Sequence, residues 1–288
     1  MDYFSMERQH VFLITCSSLV VIMNLICLLI LLHRSAPFSR FGMLFTMFVT
    51  RVVYGLMTIS ASALWLLPRP IFFETVFGNT RLLLYSLLTP HLAEQIVSVS
   101  GALCALDRVL VMATNVRYNV FRLGGRLSFT ALLINASTLA CFYGATAVLR
   151  STKELNFVQF THDVLKYCVF PLTLLGSTLL YVVFAIQYRQ FYLRKLNVAD
   201  RKQALQANQM VLFQMVMHIV LCAIPNGLAT LNSPFIRLRM KWVDSMEPFN
   251  GVMFSMSVLL ASLFTAIKMR PRRIFLRVAS SGSSPCTK

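Results

Sequence analysis

Residues 11–32 read VFLITCSSLVVIMNLICLLILL, 22 residues without one charged side chain. At a rise of about 1.5 Å per residue a helix of that length reaches roughly 33 Å, enough to cross the hydrocarbon core of a bilayer. The stretch lacks the alternation of a strand, and in lipid only helices and closed barrels satisfy every backbone group. Six further apolar runs follow, near 41–67, 82–111, 127–149, 164–187, 207–232 and 249–268. The expectation is an all-α membrane protein, a seven-transmembrane helix bundle over residues 1–268 with a tail at 269–288. Composition points the same way, with 57% hydrophobic residues, 13% charged and a mean hydropathy of +0.68. Pro68 and Pro70, Gly124 and Gly125, and Ser233 with Pro234 mark the connections as turns. They leave no room for a soluble domain. No internal repeat is evident, and Ser280–Ser284 reads as disordered tail.

A formal charge of +17 suggests nucleic acid until its distribution is read. Basic residues crowd alternate connections, as cytoplasmic loops require, and no nucleic-acid partner is expected. With the amino terminus extracellular, the inner connections and tail hold 17 of the 27 Lys and Arg residues, among them Arg117, Arg122, Arg194, Lys195 and Arg273. Nine lie outside, and Arg51 falls within a span. Arg237, Arg239 and Lys241 dissent, because they crowd an outer connection.

The first run is too long for a cleavable signal and follows the mixed charges Asp2, Glu7 and Arg8, so it reads as signal anchor and first helix. The sequon Asn135-Ala136-Ser137 lies within the fourth run, out of reach of glycosylation. Cys16, Cys27, Cys104, Cys141 and Cys222 sit in apolar runs and read as small hydrophobes. Cys168 lies near the outer surface without an obvious partner, so a structural disulfide is not expected. Cys286 is distant from the last span for a lipidation site.

The sharpest motif is Asp107-Arg108, in Leu106-Asp107-Arg108-Val109 at the inner end of the third run. A carboxylate and a guanidinium there can neutralise one another in a closed bundle and separate when it opens, a latch for a two-state switch. The plainer reading is a helix-end charge pair anchored at the interface. Asn24 in the first run, Pro171 in the fifth and Pro225 in the sixth add candidate features, the two prolines as hinges.

With these marks the chain resembles the seven-helix receptors that couple to heterotrimeric G proteins. Their third helix ends in an acidic residue, Arg and an aromatic, and here Val109 replaces the aromatic. The Asn-Pro element of a typical seventh helix is absent from Phe249 to Lys268, and the usual pair of outer cysteines is missing. Arg51 in Phe48-Val49-Thr50-Arg51, the Leu106-Asp107-Arg108 ending and Ala223-Ile224-Pro225 instead look like the nematode serpentine chemoreceptors, with class BC nearest. The resemblance implies a receptor for an odorant or other small molecule, on the plasma membrane or cilia of sensory neurons, with the ligand entering from outside.

Ionisable groups at membrane depth are costly unless paired or facing water, and they give a binding cavity its own physical grounds. Counting residues from the inner helix ends puts Arg51 and Glu94 within roughly 6 Å of the same depth. The expectation is a buried Arg51–Glu94 ion pair, or ligand contacts at these residues. His91, three residues before Glu94 and next to Pro90, shares its helix face, and His218 is a further candidate facing the bundle. A lone His in an apolar span is also an ordinary packing residue. No metal-ligand spacing is visible. The seventh run carries no lysine in its middle, since Lys268 sits at its inner end, so retinal attachment is not expected.

The connection from Tyr188 to Gln206 carries Arg189, Arg194, Lys195, Arg201 and Lys202 against Asp200 alone. The tail segment Pro271–Val278 mixes basic and apolar residues, as an amphipathic membrane-surface helix does. Both suit anionic lipids and a G protein. No nucleophile, base and stabiliser converge, so the chain does not read as an enzyme and no cofactor is expected. The expected function is a chemosensory G-protein-coupled receptor. The alternatives are a ligand-gated cation channel subunit of inverted topology, which the charge distribution disfavours, and a small transporter, which would show paired broken helices in matching halves.

Overall fold

The computed structural model describes residues 3–33, 38–68, 71, 79–114, 123–148, 164, 168–193, 198–231 and 249–269. Among the described residues the elements are helical, with no strand. They are α1 (Tyr3–His33), α2 (Phe38–Trp65), α3 (Thr80–Thr114), α4 (Leu123–Val148), α5 (Phe170–Leu193), α6 (Val198–His218), a π-turn (Ile219–Ala223), α7 (Ile224–Leu231) and α8 (Asn250–Met269). The stretch from α6 through α7 forms one span, giving among the described residues seven helices long and apolar enough to cross a membrane. The protein is therefore a multi-pass, all-helical membrane protein.

Several helices extend past the apolar runs that announce them. The α6 helix starts at Val198 inside the basic connection, because Ala199, Lys202, Gln203, Ala204, Leu205 and Gln206 are good helix formers even where they are polar. Gly124 and Gly125, expected in a turn, instead lie in the first turn of α4. Gly124 serves close packing there. A Cβ on Gly42 of α2 would stand 3.1 Å from the Gly124 carbonyl oxygen, and the Ser128 hydroxyl donates to the Gly42 carbonyl at 3.1 Å.

The α1 helix packs against both α2 and α8, α8 against α6, and α6 against α5. The α3 helix packs on α2, α4, α5 and α6, so its side chains occupy the interior. Faces turned away from neighbours carry Leu29, Phe129, Leu172 and Ile267, all more than 60% exposed. Such apolar surface is a liability in water and the required surface in lipid.

Two apolar clusters fill the bundle. One holds Cys27, Met47, Phe48, Cys104, Tyr181 and Val211; the other holds Val20, Tyr54, Val97, Leu174, Cys222 and Val258. On each helix the sequence between the two clusters supplies a buried polar residue: Asn24, Thr50 and Arg51, Ser98 and Ser100, Ser177, His218 and Ser262, with Asn135 joining from α4. These form a polar belt across the middle of the bundle. Thr50 and Ser100 hydroxyls meet at 3.0 Å, the Asn135 amide donates to Ser100 at 2.8 Å, and the Asn24 amide donates to Ser262 at 2.8 Å. Hydrogen bonds between spans hold register where lipid gives no hydrophobic drive for helices to associate. The Asn135 amide is thus engaged between helices.

Among the described residues the cysteines are free thiols, with Cys141 and Cys168 exposed and Cys16, Cys27, Cys104 and Cys222 buried. The basic residues Arg237, Arg239 and Lys241, the tail segments Pro271–Val278 and Ser280–Ser284, and Cys286 lie outside the described residues.

Candidate functional site

Pro90 sits inside α3 and removes one N–H from its ladder, next to the polar residues that follow it. His91 Nδ1 lies 3.8 Å from Glu94 Oε2, on the shared face that their three-residue spacing predicts. Glu94 is buried, and its carboxylate faces α8 at Gly251, where an added Cβ would stand 3.8 Å from Oε1. Around this carboxylate the helices are joined by short polar contacts. The Tyr54 and Ser255 hydroxyls meet at 2.6 Å, Cys222 Sγ and Ser257 Oγ at 3.1 Å, and Gln95 Nε2 donates to Thr173 Oγ1 at 2.7 Å. Gln95 Oε1, Ser98 Oγ and Asn250 Oδ1 are buried without a hydrogen-bond partner. Unmade hydrogen bonds at buried atoms are costly, so a carboxylate ringed by spare acceptors and a hydroxyl suits a small cationic or hydrogen-bonding ligand, or water.

At the other end of α3, Asp107 is fully buried and accepts from its neighbour, with Arg108 Nε donating to Asp107 Oδ2 at 2.9 Å and Arg108 Nη2 contacting the same oxygen. Further contacts close this end of the bundle between α3, α6 and α8. Asn208 Nδ2 approaches Met112 Sδ at 3.7 Å, Lys268 Nζ donates to Gln209 Oε1 at 3.0 Å, and Phe213 stacks on Phe264 at 4.2 Å.

The two candidate hinges differ. Pro171 is the second residue of α5, preceded by the π-helical residues Cys168 and Val169, and lies at the end of the span Phe170–Gln190, where a proline makes no central hinge. Pro225 lies two residues after the end of the π-turn, is buried, and cannot donate to the carbonyl of Leu221. Around this gap the Ile224 N–H reaches back to the Ile219 carbonyl, and the Asn226 side chain donates to the Cys222 carbonyl at 3.0 Å. The span therefore has a local break in its regular hydrogen-bond ladder. Cys222 at this break also touches Ser257 of α8.

Arg51 and Glu94 are not an ion pair. Thr50 meets Ser100, which lies six residues from Glu94 along α3, a rise of about 9 Å. The depth count placed the two closer because it measured from the ends of the apolar runs, whereas α2 begins at Phe38 and α3 continues to Thr114. Arg51 is 2% exposed, and the ionisable groups acting on it are Tyr181, Cys104 and Cys27, toward the Arg108 end. His218 does face inward, but its Nε2 is 2.9 Å from Ser177 Oγ and its ring packs on Tyr181. It is a satisfied packing residue between α5 and α6. An Arg51→Leu, Glu94→Leu double variant is expected to change stability by the sum of its single variants, with a coupling below about 0.5 kcal/mol in a thermal unfolding cycle. A coupling above about 1 kcal/mol would restore the pair.

Sequence reading passed over Tyr54, Gln95, Cys222, Asn250 and Ser255. Isolated Ser, Tyr or Gln residues in an apolar span satisfy themselves on their own helix as readily as across a bundle, so only packing singles them out. Among the described residues no group of three or more His, Cys, Asp or Glu is placed to hold a metal ion. No family model matches the chain, and no curated protein matches it.

Proposed function

We propose that the chain is a chemosensory G-protein-coupled receptor of the plasma membrane, binding a small molecule from the extracellular side and signalling to a heterotrimeric G protein by helix rearrangement. The observation that carries this reading is the placement of two polar sites on one central helix. Glu94 and His91 lie toward one end of α3, and the buried Asp107–Arg108 pair lies at the other. At the level of the Glu94 site, the broken span at Pro225 touches α8 through Cys222 and Ser257. A ligand that contacts Glu94 more favourably in one arrangement of this span moves the population toward that arrangement. The Arg108 end then presents a different surface to the basic cytoplasmic connections.

Orientation tests this reading first. Short epitopes before Met1 and after Lys288 are expected to stain outside and inside, respectively, in intact and permeabilised cells. The reverse staining would overturn the receptor reading in favour of the channel subunit of inverted topology. Placement on sensory-neuron cilia belongs to the same proposal and is read by the same tags in such cells.

A further inference from the structure

Arg51 lies midway along α2, in the polar belt, and is 2% exposed. Its Nε and Nη1 are buried without a hydrogen-bond partner. The ionisable groups acting on it are a phenol, Tyr181, and two thiols, Cys104 and Cys27, none of which carries a charge at neutral pH in its ordinary form. Glu94 is turned to His91 and Gly251, and Asp107 is engaged by Arg108. A guanidinium does not shed its proton, so the bundle holds a positive charge at mid-depth with no carboxylate beside it among the described residues. Buried charges without a counter-charge are among the costliest features a fold can hold, and they persist where something neutralises them.

We infer that Arg51 is the centre of an internal binding site for a small monovalent inorganic anion of the halide class. The size limit follows from the surroundings. Phe48 and Tyr54, each one turn away along α2, are 0% and 1% exposed, and Tyr181 is 1% exposed, so bulky buried side chains crowd the guanidinium and favour a monatomic ion over an organic carboxylate. A halide needs only convergent N–H and O–H donors, which the two free guanidinium nitrogens begin to supply. The site lies in the belt rather than at Glu94, so it stands apart from the proposed ligand site and does not depend on receptor function.

The test uses the purified full chain in detergent, at constant ionic strength, with chloride, bromide, sulfate or gluconate as the anion. Chloride and bromide are expected to raise the unfolding midpoint saturably, on the order of 5 °C at concentrations far above half-saturation, with sulfate and gluconate well below them. Stabilisation ordered by charge, with sulfate strongest, would assign the effect to the basic connections and overturn the proposal. Equal stability in all four salts would mean that water alone solvates Arg51 and would overturn it too. Arg51→Gln, which removes the charge, is expected to lose the halide response and to be at least as stable in gluconate as the parent. A retained response in that variant overturns the assignment to Arg51. Should the variant fail to fold, the order of anions on the parent chain decides alone.

Discussion

Gly55→Ala is expected to destabilise the bundle by about 2 kcal/mol, and Gly55→Val to leave little folded monomer. The reason is the closeness of α1 and α2. A Cβ on Gly55 would stand 2.5 Å from Val21 Cγ2 and 3.0 Å from the Ser17 carbonyl oxygen. The first neighbour is a β-branched side chain with little rotamer freedom in a helix, and the second is backbone. Neither can step aside, so α1 must move off α2, and overpacking of this kind costs about 1–3 kcal/mol or more. Gly176→Ala in α5 is the control, because nothing lies within 4 Å of its added Cβ. There the better helix former is expected to be neutral or to stabilise by up to about 1 kcal/mol. Unfolding midpoints in detergent check both. Val21→Ala combined with Gly55→Ala removes the closer clash and should recover part of the loss. A Gly55→Ala protein as stable as the parent would mean that the α1–α2 crossing is looser than these distances.

The seven spans were legible because a bilayer imposes its thickness on the sequence: residues 11–32 have few other options. Short-range geometry was legible too. The His91–Glu94 spacing sets a shared helix face wherever the helix sits, and Asp107 and Arg108 are adjacent in the chain. Relations between helices were not. The Arg51–Glu94 pair depended on the register of α2 against α3, and a few residues of overhang at each helix end moved the two apart. Pro225 announced a break, but the π-turn that precedes it, and the Asn226 amide that donates to the Cys222 carbonyl, depend on how the span settles. The belt of Ser and Thr hydroxyls was hidden for a related reason. Ser262 bonds both its own helix at the Val258 carbonyl and Asn24 of α1, and sequence shows only the first possibility.

Arg108→Ala is expected to abolish G-protein coupling, and Asp107→Asn to raise ligand-independent signalling. The two variants act on opposite halves of one contact. Asp107 is fully buried and holds Arg108 through Nε and Nη2. Neutralising the carboxylate frees the guanidinium to leave the closed arrangement, and each 1.4 kcal/mol of latch energy lost is worth about tenfold in the population of the open one. Removing the guanidinium instead strands a buried carboxylate, at a cost of about 3–5 kcal/mol if nothing else compensates. Stability and signalling must therefore be read apart. Surface staining gives the folded fraction, and nucleotide exchange on a co-expressed G protein, normalised to it, gives coupling. A rise with Asp107→Asn together with a loss for Arg108→Ala is the pattern of a latch. An ordinary helix-end charge pair would lower surface levels in both variants without changing the signal per receptor. An Arg108→Ala protein that reaches the surface and signals as the parent does would remove Arg108 from the coupling path. The Glu94 site would then have to act on the basic face through the break at Pro225 alone.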